Sequence, residues 1–261
     1  MTRFANSSYE CVAAEYYDAR RHPTCHNFNR LSRIYIERHF TAALASKHVL
    51  EIGAGESSVA PLMAANKWDL RHLTISDISP TMLNRSVKWR NEGARLVVGD
   101  AEALAEWGPQ TDVIVAGLGD PYNTAKFWLQ AGDCLRVDGR VIFTLPSFEW
   151  AARFRPQGSD RSVAEFVIAT GETVKLPSFV PSLDCLVEMI ESAGLVVVNF
   201  EALGVEQLGR DPVSSKISQT AADKSIVWGV VAMRLSDSIS RTGARHSGLS
   251  ACLQMLHEDV S

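Results

Sequence analysis

No apolar run in the 261 residues approaches the length of a membrane-crossing helix. The opening MTRFANSSYE lacks the hydrophobic centre of a secretory signal. Cysteine is sparse: Cys11, Cys25, Cys134, Cys185 and Cys252 are scattered, odd in number and never spaced C-x-x-C. That argues against a disulfide framework and a structural zinc site. Positive charge is not in excess, with 26 Lys and Arg against 30 Asp and Glu and a net charge of -4. A non-specific nucleic-acid binder is usually strongly basic, so that class is disfavoured, although a specific nucleic-acid substrate stays open. There is no internal repeat, no low-complexity tract and no side-chain cluster that calls for a metal. The expectation is a soluble, cytoplasmic protein with reduced thiols and no membrane partner. A homo-oligomer is left open.

What is present is alternation. From about Lys47 to Pro146, short apolar runs (HVLEIGA, HLTISDI, RLVVGD, DVIVAGL, RVIFTLP) alternate with helical stretches. Near-continuous apolar strands separated by helices predict an α/β chain with a parallel sheet covered on both faces. Ser79-Pro80 supplies an N-cap and a first-turn proline, and Asn123-Thr124 can cap the next long helix. Gly132 lies inside that helix and weakens its pattern. After Pro146, SFEWAARFR reads as a short helix and EFVIATGETVKLPS as a β-hairpin turning at Gly171. SLDCLVEMIESAG reads as a helix from Ser182 to Gly194, and LVVVNFEAL and SIVWGVVAMRL as two late strands. GRDPVSSKISQTAADK between them is polar and loop-like. Before the sheet, VAAEYYDARR and FNRLSRIYIERHF look helical, joined by HPTCHN. The expected organisation is a helical cap over 1–45, a core over 46–235 with the hairpin inserted at about 163–178, and a partly ordered tail over 236–261.

The stretch VLEIGAGESS carries the chemistry. Gly53 and Gly55 between an apolar strand and a helix permit a tight turn and close approach of a ligand to the backbone. Asp77 ends the second strand a little over twenty residues later, where an acid accepts both ribose hydroxyls in a doubly wound fold. Asp100 ends the third strand; its carboxylate can accept from an exocyclic amine while the N–H of Ala101 meets a ring nitrogen. Each acid alone is equally explained as a helix N-cap; three such signals at successive strand ends are not. NAD is the nearest competing ligand, but the third small position of its G-x-G-x-x-G/A fingerprint falls on Ser58. Glu51, a fixed negative charge just before the first glycine, suits a ligand with an ammonium and a sulfonium better than a pyrophosphate.

VLEIGAGES, ISDISPTML, VGDAEAL and DVIVAGLGDPY together resemble the successive motifs of the class I S-adenosylmethionine-dependent methyltransferases. The likeness covers about 45 to 150, and Ser57 stands where that family's first motif has its third glycine. It implies a doubly wound, Rossmann-like sheet of seven strands whose last strand, SIVWGVVAMRL, is antiparallel and inserted beside the fifth. It also implies S-adenosylmethionine as cofactor and S-adenosylhomocysteine as product. By position, Glu51, Gly53, Ala54 and Gly55 line the methionine end, and Asp77 holds the ribose with Ile78 against the adenine. Asp100 and Ala101 meet the adenine edge, and Leu118 lies near the methyl group.

On the acceptor side, GLGDPYN resembles the (D/N/S)-P-P-(Y/F) motif of amine methyltransferases but lacks one proline. Asp120 is the candidate for positioning an acceptor N–H or O–H, with Tyr122 and Asn123 beside it; a plain turn accounts for the same residues. Tyr16 and Tyr17 are similar to the lid tyrosines of small-molecule methyltransferases, Tyr17 as a catalytic and Tyr16 as a substrate-binding candidate. Packing at a helix interface explains them equally well. His22 or His26 serves as general base if it faces the methyl, with His26 the candidate; surface or capping roles are the default. Arg20, Arg21, Arg30 and Arg33 make the cap locally basic, as an anionic substrate group or a solvated helix face would require. Trp150 and Arg155, after the fifth strand, are candidates for the wall of an apolar acceptor pocket, and Lys216 for its rim. The expected activity is methyl transfer to O or N of a small molecule. The rivals are an RNA or protein acceptor, a non-catalytic cofactor-binding module and an NAD-dependent oxidoreductase.

Overall fold

The computed structural model describes residues 8–155, 162–219 and 224–236. The five apolar runs form β1 (Val49–Glu51), β2 (Leu73–Asp77), β3 (Arg95–Val98), β4 (Thr111–Ala116) and β5 (Leu135–Pro146). All pair in parallel. β6 (Val163–Val167) and β7 (Thr173–Pro177) make a separate hairpin, and β8 (Val196–Leu203) and β9 (Val227–Met233) complete the main sheet. Its order is β3-β2-β1-β4-β5-β9-β8, with β9 antiparallel to both neighbours. The strand order therefore reverses at β1, between β2 and β4, and such a switch point opens a crevice at the carboxyl ends of the strands.

Alternation along β1 divides the core. Val49 packs with Val113, Ile142 and the helices α1 (Pro23–His39) and α2 (Val59–Ala65) on one face. Leu50 packs with Ile114, Phe143 and the helices α3 (Ala125–Cys134) and α4 (Leu183–Ser192) on the other. Successive side chains of a strand point to opposite faces, so the continuous apolar runs are those of strands buried on both sides. Thr124 caps α3 through Phe127 N, and Ser182 caps α4 through Cys185 N. Gly132 is needed inside α3 because a Cβ there would stand 2.5 Å from the carbonyl oxygen of Ala193.

The N-terminal region departs from expectation. Helix covers residues 8–12, turns follow, and α1 starts at Pro23, inside the segment expected to be a joint. Proline fits the first helical turn, where its missing N–H has no partner to lose, and it holds His22 out of the helix. The buried Phe28, Leu31, Tyr35 and Ile36 then form one stripe on α1. Within the loop-like segment after β8, Ser214 caps a short helix, Ser215–Ser218. β5 begins at Leu135, five residues before the apolar run RVIFTLP. Cys11, Cys25, Cys134 and Cys185 carry free thiols. No described helix is long and apolar enough to cross a membrane. The expected tail falls, from residue 237 on, outside the described residues.

α1 crosses β9 at Gly229, where any Cβ would collide with the ring of Tyr35. That ring is fully buried, and its hydroxyl donates to Asn199 Oδ1 at 2.9 Å, so it has nowhere to retreat. Gly229→Ala is expected to destabilise the fold by about 1–3 kcal/mol, the usual scale of overpacking, read as a lower urea midpoint. An unchanged midpoint would mean that α1 is free to shift.

Candidate active site

The crevice at the switch point is a cavity of about 340 Å³. Its floor is the glycine turn after β1. Ile52 N donates to Val115 O and Ala54 N to Ser76 O, both at 2.9 Å, so the turn hangs between β4 and β2. Gly53 and Gly55 have φ of +58° and +47°, conformations that a Cβ strains. Both are also covered by rings. Tyr122 lies 2.6 Å from where a Cβ of Gly53 would be, its hydroxyl donating to Ile52 O at 2.8 Å. The Tyr17 hydroxyl sits over Gly55 and accepts from Glu56 N at 3.0 Å.

Glu51 shapes the turn. It is 2% exposed, and its carboxylate accepts from Ser57 Oγ, from Ser58 N at 2.7 Å and from Val59 N at 3.2 Å. Burial pushes its pKa up, and these hydrogen bonds oppose the rise. The charge thus sits at the start of α2, where the free N–H groups and the helix dipole favour an anion. Ser57, at the third-glycine position of the motif, donates to Glu51 and accepts from Ala60 N at 2.9 Å. A glycine there would leave both groups to find other partners.

The other strand ends add acids to the same cavity. Asp77 accepts from Gly55 N on one oxygen and Ser79 N on the other, each at 2.9 Å. Burial raises its pKa to about 6 against those bonds. Asp100 accepts from Glu102 N at 2.9 Å through Oδ1 and lines the cavity beside Ala101. After β4, Leu118 takes φ of +52°, which a non-glycine residue seldom adopts. Its N–H donates to Thr144 Oγ1 at 2.8 Å, and that hydroxyl pairs with Ser32 Oγ of α1 at 2.7 Å.

Among the residues singled out from sequence, Glu51, Gly53, Ala54, Asp77, Ile78, Asp100, Ala101, Leu118, Tyr16, Tyr17 and Tyr122 line this one cavity. Gly55 lies just behind, under Tyr17. Asp120, Asn123 and Arg155 come together elsewhere. Asp120 accepts from Ser178 Oγ, and Phe179 N donates to Asp120 O at 2.7 Å. Asn123 donates to Phe179 O at 3.1 Å and accepts from Trp128 Nε1 at 2.9 Å. Arg155 donates to Ser178 O at 3.0 Å and to its Oγ at 2.5 Å. These three residues pin the exit of β7 to the loop after β4, outside the cavity lining. Burial raises the Asp120 pKa to about 6 against the Ser178 bond and the Arg155 charge. Trp150 is core, edge-on to Phe28 at 4.6 Å. His26 is exposed on the first turn of α1, and His22 stacks on Phe166 at 4.0 Å. Arg30 pairs with Asp211 at 3.2 Å and Arg33 with Glu56 at 3.5 Å, and Lys216 stands 5.6 Å from the Phe154 ring.

Sequence reasoning missed Tyr9, Asn29, Ser32, Pro177 and Phe179, which also line the cavity. It also missed Glu10, which accepts from Ser79 Oγ at 2.5 Å and Thr81 N at 3.2 Å. With Arg85 donating to the carbonyls of Ala13 and Ala14 at 2.6 and 2.9 Å, it ties the N-terminal segment beside the β2 end of the cavity. Glu15 accepts from Ala169 N at 2.9 Å and ties the same segment to the hairpin. A carboxylate six residues before a tyrosine pair was the visible signal, without a partner to give it meaning.

No protein-family model and no curated protein matches the chain. Solved structures do. The chain is similar to an S-adenosylmethionine-dependent methyltransferase from Mesorhizobium loti, at 13% identity over 78% of this chain and 98% of that one, TM-score 0.57. It is similar to the CcbJ methyltransferase from Streptomyces caelestis, at 17% identity over 80% and 90%, TM-score 0.54. A third is the 1,6-didemethyltoxoflavin-N1-methyltransferase of Burkholderia thailandensis, seen with 1,6-didemethyltoxoflavin and S-adenosylhomocysteine bound. It shares 16% identity over 89% and 91%, TM-score 0.51. The chain has the class I S-adenosylmethionine-dependent methyltransferase fold.

Ser57→Gly, which restores the family's third glycine, is expected to lower stability by about 1–2 kcal/mol in urea titration, through a lost cap and a Glu51 carboxylate short of one donor. A midpoint equal to or above that of the parent would show that the hydroxyl contributes nothing.

Proposed function

We propose that the chain is an S-adenosylmethionine-dependent methyltransferase that methylates an O or N atom of a small molecule. One observation carries this reading: the acids at the ends of β2 and β3, the glycine turn and the left-handed Leu118 line a single cavity. The donor set suits the cofactor. Each Asp77 oxygen accepts one backbone N–H and retains a lone pair for a ribose hydroxyl. Asp100 has an oxygen to spare for an amine, with Ile78 and Ala101 as apolar flanks. Glu51 places a buried negative charge under the turn, where an ammonium is favoured. S-adenosylmethionine, when bound, supplies an electrophilic methyl group on a sulfonium.

The chain's own part is to hold and orient. The loop after β4 is fixed by Thr144 and by the Asp120–Ser178 lock, so residues 118–122 present a rigid floor to the acceptor. Asp120 is in this reading a positioning residue. The N-terminal segment and the hairpin supply the opposite wall and keep water from the reacting atoms. Alignment of this kind contributes on the order of 7–11 kcal/mol in favourable cases. A cavity walled by tethered segments favours a small acceptor over a polymer, and the small molecule bound to the Burkholderia neighbour supports that class. The free thiols of the described cysteines suit a reducing compartment, and we place the protein in the cytoplasm.

Calorimetric binding of S-adenosylhomocysteine to the full chain, followed by its production from S-adenosylmethionine with a small-molecule library, tests the reading. Binding without turnover would favour the non-catalytic module; binding of NAD instead would overturn both. The cofactor site also predicts a pH profile. The Asp77 pKa lies near 6 in the free protein, above the ordinary 3.8, and an acceptor role draws on the ionised form. Affinity for S-adenosylhomocysteine should be flat above pH 7 and fall below pH 6, by at most about tenfold per unit, as Asp77 takes up a proton. Asp77→Asn should weaken binding by about 1.5–3 kcal/mol at pH 7.5 and flatten the profile. A slope that persists in the variant assigns the titration to another group.

A further inference from the structure

The cavity has a one-signed electrostatic lining. Among the described residues, Glu51, Glu56, Asp77, Asp100 and Glu102 line it, and no lysine, arginine or histidine does. Three arginines that touch lining residues or their neighbours are engaged with other groups: Arg33 forms an ion pair with Glu56 at 3.5 Å, its buried Nε having no hydrogen bond, Arg85 holds backbone carbonyls, and Arg155 holds Ser178. The N-terminal segment and the exit of the hairpin contribute flat, rigid surfaces to the other wall, namely Tyr9, Tyr16, Pro177 and Phe179. The Tyr16 ring is fixed by stacking on Phe166 at 5.8 Å and 12°, and Tyr9 meets it edge-on at 6.2 Å.

Among the described residues, no hydrogen bond reaches the Tyr9 or Tyr16 hydroxyl. By contrast, the Tyr122 hydroxyl donates to the glycine turn, and that of Tyr17 accepts from it. Burial, with the nearby charge of Asp120 as a smaller cause, holds both free phenols well above the ordinary tyrosine range. They stay protonated and can donate. A polar group that lines an otherwise apolar wall without a partner is a specificity element: a ligand that offers an acceptor satisfies it, and one that does not leaves it unpaired.

We propose, building on the methyltransferase reading, that the acceptor is an uncharged planar aromatic or heteroaromatic molecule that bears no carboxylate or phosphate and offers a carbonyl or ring nitrogen to the Tyr9 and Tyr16 hydroxyls. A flat ring covers tyrosine, proline and phenylalanine faces with little loss of internal freedom. An anionic group would lose its hydration with no cation to meet it, in the field of several carboxylates. The arginines of the N-terminal region therefore do not select an anionic substrate; Arg20 and Arg21 are exposed, and Arg30 and Arg33 are paired with acids.

The test is calorimetry on the full chain saturated with S-adenosylhomocysteine. The probes are one- and two-ring planar compounds, each paired with its carboxylated analogue, beginning with 4-hydroxyquinoline and 4-hydroxyquinoline-2-carboxylate. Neutral members should bind, at least tenfold more tightly than their carboxylates. Tyr9→Phe and Tyr16→Phe, which keep the rings, should each weaken the neutral member three- to tenfold. Carboxylates that bind as tightly as their neutral partners would overturn the proposal. So would a panel in which no neutral member binds, or phenylalanine variants with unchanged affinity. Failure of S-adenosylhomocysteine to load in the first titration would strike the methyltransferase reading itself, and the proposal with it; normal loading with the wrong preference strikes the acceptor class alone.

Discussion

The buried carboxylate of Glu51 is the constraint on which the site depends. A charge only 2% exposed is tolerable when donors surround it, and here they come from Ser57, Ser58 and Val59 at the head of α2. The same hydrogen bonds set where the chain leaves β1 and where the helix begins. The turn between them has no freedom left, so Gly53 and Gly55 must take left-handed backbone angles. Asp77 completes the fixation from the neighbouring strand by accepting from Gly55 N at 2.9 Å. One acid from β1 and one from β2 thus hold a loop whose backbone forms the floor of the cavity. Because both are buried, their charges act through a poorly screened medium on whatever enters.

The second half of the cavity is built differently. Its walls come from residues 8–22, from α1 and from the end of β7, which are remote from one another in the chain. They are held by isolated polar contacts: Glu10 on the turn after β2, Glu15 on the hairpin, Ser32 on Thr144, and Asp120 on Ser178. Each joins segments 50 or more residues apart. The GLGDPYN loop stands at the centre of this arrangement. Its Leu118 faces the cavity, while Asp120 and Asn123 turn away to fasten the hairpin exit, so one short loop serves as floor on one side and as anchor on the other.

The two halves were unequally legible. The strands of the sheet followed from apolar runs, and their parallel order from the helices between them. The acids at strand ends followed from position alone, since the end of a parallel strand at a switch point always faces the crevice. Asp120, Asn123, Trp150 and His26 show where such reasoning stops. Their residue types suit acceptor chemistry, yet two of them satisfy internal hydrogen bonds, one packs in the core and one meets solvent. Tyr9 lines the cavity although nothing in its immediate neighbours marks it.

The amino-acid sequence by itself determined the parallel strands and the glycine turn with its acids, because these depend on local periodicity and on spacing within βαβ units; the antiparallel last strand was legible only through the family resemblance. Only the tertiary structure decided which tyrosines keep a free hydroxyl and which arginines are already paired. Those outcomes depend on which remote segment arrives to supply a partner, and hydrogen bonds across 50 to 190 residues leave no trace in the spacing of the chain.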